Sequence, residues 1–137
     1  MADGVAVMVA LQLAYGPVKA IVADRVYAGD IPADAVLPAL GVKEISRIEL
    51  GTVSGNEANT LITARIQVTV AAKTYPDQKN LLLATKLGAG THTGTIASTQ
   101  VRSVLRDAVG PDFSDGAARI YSQSRDFKVT YLEPNPT

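Results

Sequence analysis

The chain has 137 residues, in which thirteen Lys and Arg balance thirteen Asp and Glu, with one histidine and no cysteine. That length suits a single domain able to bury about two thirds of its unfolded surface in one core. The neutral balance predicts no strong field for nucleic acid or an anionic membrane, and the missing cysteines remove any disulfide framework, thiolate nucleophile or cysteine-based metal site.

Residues 4–14 (GVAVMVALQLA) form the one long apolar run. As a helix it would extend about 16 Å, too short for a bilayer core of about 30 Å. Asp3 in place of a positive start and Gly16-Pro17 in place of a cleavage site also depart from a signal peptide. Val5, Val7, Val9, Leu11 and Leu13 alternate as in a strand, but the residues between them are apolar too. Ala, Met, Leu and Gln favour helix and Asp3 suits an N-cap, so helix is the reading. Pro17 opens a short helical turn over residues 18–23. Residues 25–28 (RVYA) have strand character and end at the turn former Gly29-Asp30, followed by a loop, DIPADA. A further strand is predicted over residues 39–50, with Lys43, Arg47 and Glu49 marking an exposed face. The polar loop after it, residues 51–59, is too long for a tight hairpin.

Residues 60–88 are the centre of the pattern. Ile62, Ala64, Ile66, Val68 and Val70 take every second position, with Thr63, Arg65, Gln67 and Thr69 between them, which predicts a half-buried strand. Thr74-Tyr75-Pro76-Asp77 then reads as a helix start. On a wheel of about 100° per residue, residues 77–87 gather Leu81, Leu83, Ala84 and Leu87 in one apolar sector that also holds Asn80. Lys79 and Lys86 lie opposite, and Leu82 stands off the stripe. Gly88 is a C-cap candidate, while Asp77 near the start and Lys86 near the end complement the helix dipole. Residues 88–95 (GAGTHTGT) are a flexible connection. Residues 97–109 read as a strand, with helix the competing reading, and residues 119–133 as the last strand before a Pro-rich tail, residues 132–137. The sum is one domain, residues 1–137, of α+β class: a mainly antiparallel sheet of about four long strands with two helices packed on one face.

No constellation points to catalysis. His92 has no evident partner for a triad or metal site, and reads as a solvated loop histidine. The glycines at 88, 90 and 94 follow a helix and precede a strand, the reverse of a phosphate-binding loop. Asp30, Asp34, Asp112 and Asp115 are explained by turn formation. No catalytic, cofactor-binding or metal residue is assigned. Leu82 off its stripe, together with two polar loops and the tail outside the core, favours an assembly protein over an enzyme.

Residues 9–38 (VALQLAYGPVKAIVADRVYAGDIPADAVLP) resemble the opening of the small tail-completion, or tail-terminator, proteins of long-tailed bacteriophages. TARIQVTVAAKTYPDQKNLLLATKL is similar to their long strand and helix, and RDFKVTYLEP to their final strand. One departure is Pro38-Ala39-Leu40-Gly41, small and aromatic-free where that family has an aromatic-rich strand. The resemblance implies a non-catalytic virion protein of the neck, made in the host cytoplasm. It implies a homo-oligomeric ring, a hexamer, that caps the tail tube and joins tail to head. Its partners would be copies of itself, the tail-tube protein and a head–tail connector or head-closure protein. DNA could pass through the ring without sequence-specific binding, and no membrane is involved. Candidate assembly contacts are Thr52, Val53, Ser54, Asn56 and Glu57 in the first loop, His92 and Thr93 in the second, and Arg65, Gln67 and Leu82 toward a neighbouring subunit. Two alternatives stay open: another neck component, or a small α+β ligand-binding or enzymatic oligomer.

Overall fold

The computed structural model describes residues 3–51, 58–88 and 91–135. Helix α1 (Gly4–Ala14) starts where the side chain of Asp3 accepts a hydrogen bond from the Val5 amide at 3.0 Å, as the sequence predicts. Its buried residues, Gly4, Val7, Met8 and Gln12, fall on one helical stripe, which settles the undecided period of the run. Gly4 packs closely there: a Cβ would lie 3.1 Å from Ile66 and 3.3 Å from Tyr131, and both side chains would have to give by a few tenths of an ångström. Helix α2 (Gly16–Val22) follows with Pro17 in its first turn, bent by 86° from α1. No single helix among the described residues is long and apolar enough to cross a membrane.

Among the described residues seven strands form one sheet: β1 (Val26–Ala28), β2 (Ala39–Leu50), β3 (Asn59–Ala72), β4 (Gly94–Ile96), β5 (Thr99–Val109), β6 (Phe113–Asp115) and β7 (Ile120–Pro134). Their order is β1-β2-β3-β7-β5-β4, with β6 paired to the start of β7. The four long strands are those the sequence predicts. β1 is the short strand expected at residues 25–28 and lies parallel to β2, so the sheet is mixed, while β4 and β6, three residues each, extend the expected set. These short strands carry too few residues for a period to show. The second helix expected to pack on the sheet is α3 (Tyr75–Ala84); counting α2, there are three helices among the described residues. Thr74 caps α3 through a bond from the Asp77 amide at 3.2 Å, with Pro76 in the first turn.

The helices gather on one face. Ile62, Ala64, Ile66, Val68 and Val70 of β3 are fully buried beneath them, beside Leu40 and Val42 of β2 and Phe127, Val129 and Tyr131 of β7. Val7 and Met8 of α1, Val18 and Val22 of α2, and Leu81 and Leu82 of α3 complete the core.

Helix α3 departs from the expected wheel. Leu82 is only 8% exposed and belongs to the core, whereas Leu83 is 62% exposed. The stripe that faces the sheet is Gln78, Leu81, Leu82 and Thr85, spaced three and four residues apart. Two of its four members are polar, so a wheel drawn on apolar residues rotates away from it. Hydrogen bonds fix the true orientation. Arg125 of β7 donates from Nη2 to the Leu82 carbonyl at 3.2 Å and from Nε to Thr85 Oγ1 at 3.3 Å. Gln12 of α1 donates to the Thr85 carbonyl at 3.1 Å. Arg125 therefore supplies the cation at the helix C-terminus that Lys86, lying beyond the last turn, does not. Burial, with Arg106 close by, lowers the pKa of Arg125 from its ordinary value. Leu87 is buried past the helix end with φ of 66°, and Gly88, at φ of 68°, continues the left-handed turn beneath Tyr15.

Candidate assembly surface

Among the described residues no helix covers the sheet face away from α1, α2 and α3. Pairing register sets its side chains in rows that cross the long strands. Leu50, Leu61 and Leu132 lie side by side, ending at Gln100. The next row is Ile48, Thr63, Thr130 and Ser103, with the two threonine hydroxyls bonded at 3.0 Å. Then come Ser46, Arg65, Lys128 and Leu105, and after them Lys43, Gln67 and Asp126. The face thus grades from an apolar end to a charged middle. Ile48 and Leu50 on β2 and Leu105 on β5 are 63%, 55% and 59% exposed, two apolar patches at opposite sides of this face.

Arg65 and Gln67 stand on this face, as the alternation predicts. Arg65 is engaged: its Nε donates to Asp126 at 2.8 Å, its Nη2 donates to the same oxygen, and Asp107 lies 4.0 Å away. The hydrogen bond to Asp126 is the main cause that raises the arginine pKa. Leu82 belongs to the opposite, covered face and is withdrawn as a contact, because burial leaves it nothing to offer a neighbour. Thr52, Val53, Ser54, Asn56 and Glu57 lie outside the described residues.

His92 and Thr93 are separated by their surroundings. His92 borders a cleft of about 430 Å³ with Lys86, Gly88, Leu105, Arg106 and Phe127, while Thr93 lines a different groove of about 370 Å³ beside Gln100 and Arg102. Among the described residues no three His, Asp or Glu side chains are grouped to hold a metal ion.

Two polar clusters escape the sequence. Arg47 of β2 donates to Glu133 at 3.1 Å, to the Tyr131 hydroxyl at 3.0 Å and to Glu44 at 3.2 Å. Its pKa is raised, chiefly by Glu133, and burial raises that of Tyr131. On α3, Lys79 donates to Asp112 at 2.6 Å and to Gln123 at 2.8 Å, while the Tyr75 hydroxyl donates to Asp112 at 2.7 Å. The Asp112 pKa is lowered, first by Lys79 and then by Tyr75. Ile48, Leu50 and Leu105 were also legible in principle, through the strand alternation. Irregularities between Glu44 and Ser46 in β2 and between Val101 and Ser103 in β5 shift that alternation by one residue and hide it.

The sheet edges complete the surface. β1 pairs with β2 only at Leu40, Gly41 and Val42, and β4 pairs with β5 only at Thr99, Gln100 and Val101. Among the described residues, 43–50 of β2 and 102–109 of β5 have no outer strand neighbour.

No family model matches the chain, and no curated protein matches it in sequence. Among solved structures, a chain of the "Virion of native gene transfer agent (GTA) particle" superposes with a TM-score of 0.62 at 12% identity. The two chains share a fold. The likeness covers 96% of this chain and 100% of the other, so it embraces the helices and the whole sheet together.

Proposed function

We propose that this chain is a structural component of a phage-like virion, and within it the tail terminator. In that role copies form a ring, a hexamer, that caps the tail tube and joins the tail to a head–tail connector or head-closure protein at the neck. The observation that carries the virion reading is the fold likeness to a gene transfer agent virion chain over nearly the full length of both. The uncovered sheet face and the exposed Ile48, Leu50 and Leu105 support assembly with other proteins. The role is mechanical: heterologous contacts repeat around an axis until the ring closes. No chemical step and no cofactor enter it.

Negative-stain imaging of particles made without this chain tests the proposal. Unjoined heads beside tails of irregular or excess length support the terminator role. Heads that lose their DNA while tails keep normal length favour a head-closure component instead. Particles that assemble normally overturn the virion role.

A further inference from the structure

The two unpaired strand edges are matched in a way that a protective edge would not need. Each is eight residues long, residues 43–50 on β2 and 102–109 on β5, and they lie at opposite sides of the sheet. Nine large apolar side chains are exposed on the described surface, and five of them, Ile45, Ile48, Leu50, Leu105 and Val109, sit on these two segments. Solvent-exposed edges are ordinarily blunted by charge or covered, because unpaired N–H and C=O groups template pairing with another chain.

Strand direction fixes the geometry of any pairing. β2, β3, β7 and β5 are successively antiparallel, so β5 of one copy runs opposite to β2 of a second copy that faces the same way. Joining them continues the sheet as an antiparallel ladder with all helices on one side. One register, which overlaps residues 46–50 of one copy with 105–109 of the next, sets Leu50 opposite Leu105 on the open face. The same register sets Glu49 opposite Arg106 on the helix-side face, since Glu49 aligns with Ile62 and Arg106 with Phe127. Arg106 has no carboxylate partner within 4.0 Å among the described residues, and Glu49 has only Arg47 at 3.5 Å. An apolar pair and a charge pair are thus met together.

We infer that copies of this chain join edge to edge, β2 of one pairing antiparallel with β5 of the next, so that a continuous sheet runs around the ring. This rests on the ring assembly proposed above and names the surface that builds it. The contact is heterologous, as a closed ring with a single kind of interface requires.

Because the chain has no cysteine, the full-length Leu50→Cys/Leu105→Cys double variant gives a clean test. Within one copy β2 and β5 are three strand spacings apart, about 14 Å, beyond the reach of a disulfide at about 7 Å. The expected result on mild oxidation is a ladder of covalent multimers ending at the ring size, with neither single variant passing a dimer. A second arm exchanges the charge pair: Glu49→Arg and Arg106→Glu each weaken the oligomer in light scattering, and the combination restores it. Light scattering of the unmodified chain separates the two levels of failure. A stable oligomer without the ladder or the charge rescue overturns edge pairing and leaves the ring standing. A chain that stays monomeric at every concentration overturns the ring and the pairing with it.

Discussion

Adjacent leucines on α3 offer the sharpest test of how the helix sits. Leu82 is 8% exposed and packs in the core, while Leu83 is 62% exposed. Truncating a buried leucine to alanine removes apolar burial and leaves a cavity, which together cost about 2–5 kcal/mol. The same change at an exposed position stays within about 0.5 kcal/mol. For a domain of this length roughly 3–4 °C of melting temperature accompanies each kcal/mol, so Leu82→Ala should melt about 6–20 °C below the parent and Leu83→Ala within about 2 °C of it. Aspartate at the two positions separates them further. Leu82→Asp places an unpaired charge in the core and abolishes folding, whereas Leu83→Asp folds. Melting curves followed by circular dichroism read all four variants. Equal losses at both positions, or a larger loss at Leu83, would refute the orientation of α3 and the role given to Arg125 and Gln12 in fixing it.

Three further outcomes follow from single contacts. Gln78 is fully buried with neither amide atom partnered among the described residues, so Gln78→Met, similar in volume, should raise stability by about 1–3 kcal/mol in urea unfolding; a loss would mean the amide has a partner. Gly88→Ala forces an L side chain to hold φ of 68° with its Cβ 2.8 Å from the Tyr15 hydroxyl, and should cost about 1–2 kcal/mol; a neutral result would contradict the left-handed turn. Asp112 and Lys79 together stabilise the fold between pH 3.8 and 10.5, their ordinary values. Below that window the contribution fades as pH falls through the lowered Asp112 pKa, and above it as pH rises through the raised Lys79 pKa. In Lys79→Met the Asp112 carboxyl, followed by NMR titration, should move back up toward its ordinary value, and an unchanged titration would break the assigned pairing.

The long strands were legible because one face is buried by helices and the other is wet, which imposes a period of two on Ile62 to Val70 without exception. The caps at Asp3 and Thr74 were equally local, each depending on residues two or three positions away. What the sequence concealed depends on partners distant along the chain. Helix α3 turns its polar Gln78 and Thr85 inward because Arg125, forty residues beyond Thr85, and Gln12, seventy-three before it, meet its C-terminal end. The open face told a similar story. Arg65 and Gln67 were placed correctly by alternation, but Ile48 and Leu50 came to that face only through the irregularity in β2, and Leu105 only through the one between Val101 and Ser103 in β5. The α+β class was legible from the strand and helix periods, and the likeness to a chain of the gene transfer agent virion is one of fold.

The tail-joining role is tested most directly by complementation. Extracts of a producer lacking this chain should contain heads and unjoined tails, and adding the purified chain should convert them into complete particles counted by electron microscopy and by infectivity or transfer. The account predicts that joined particles rise with added protein, and that a chain carrying Leu105→Cys modified with a bulky charged thiol reagent fails to restore them. Full restoration by the modified chain would contradict edge-to-edge assembly, and no restoration by the unmodified chain would contradict the role itself.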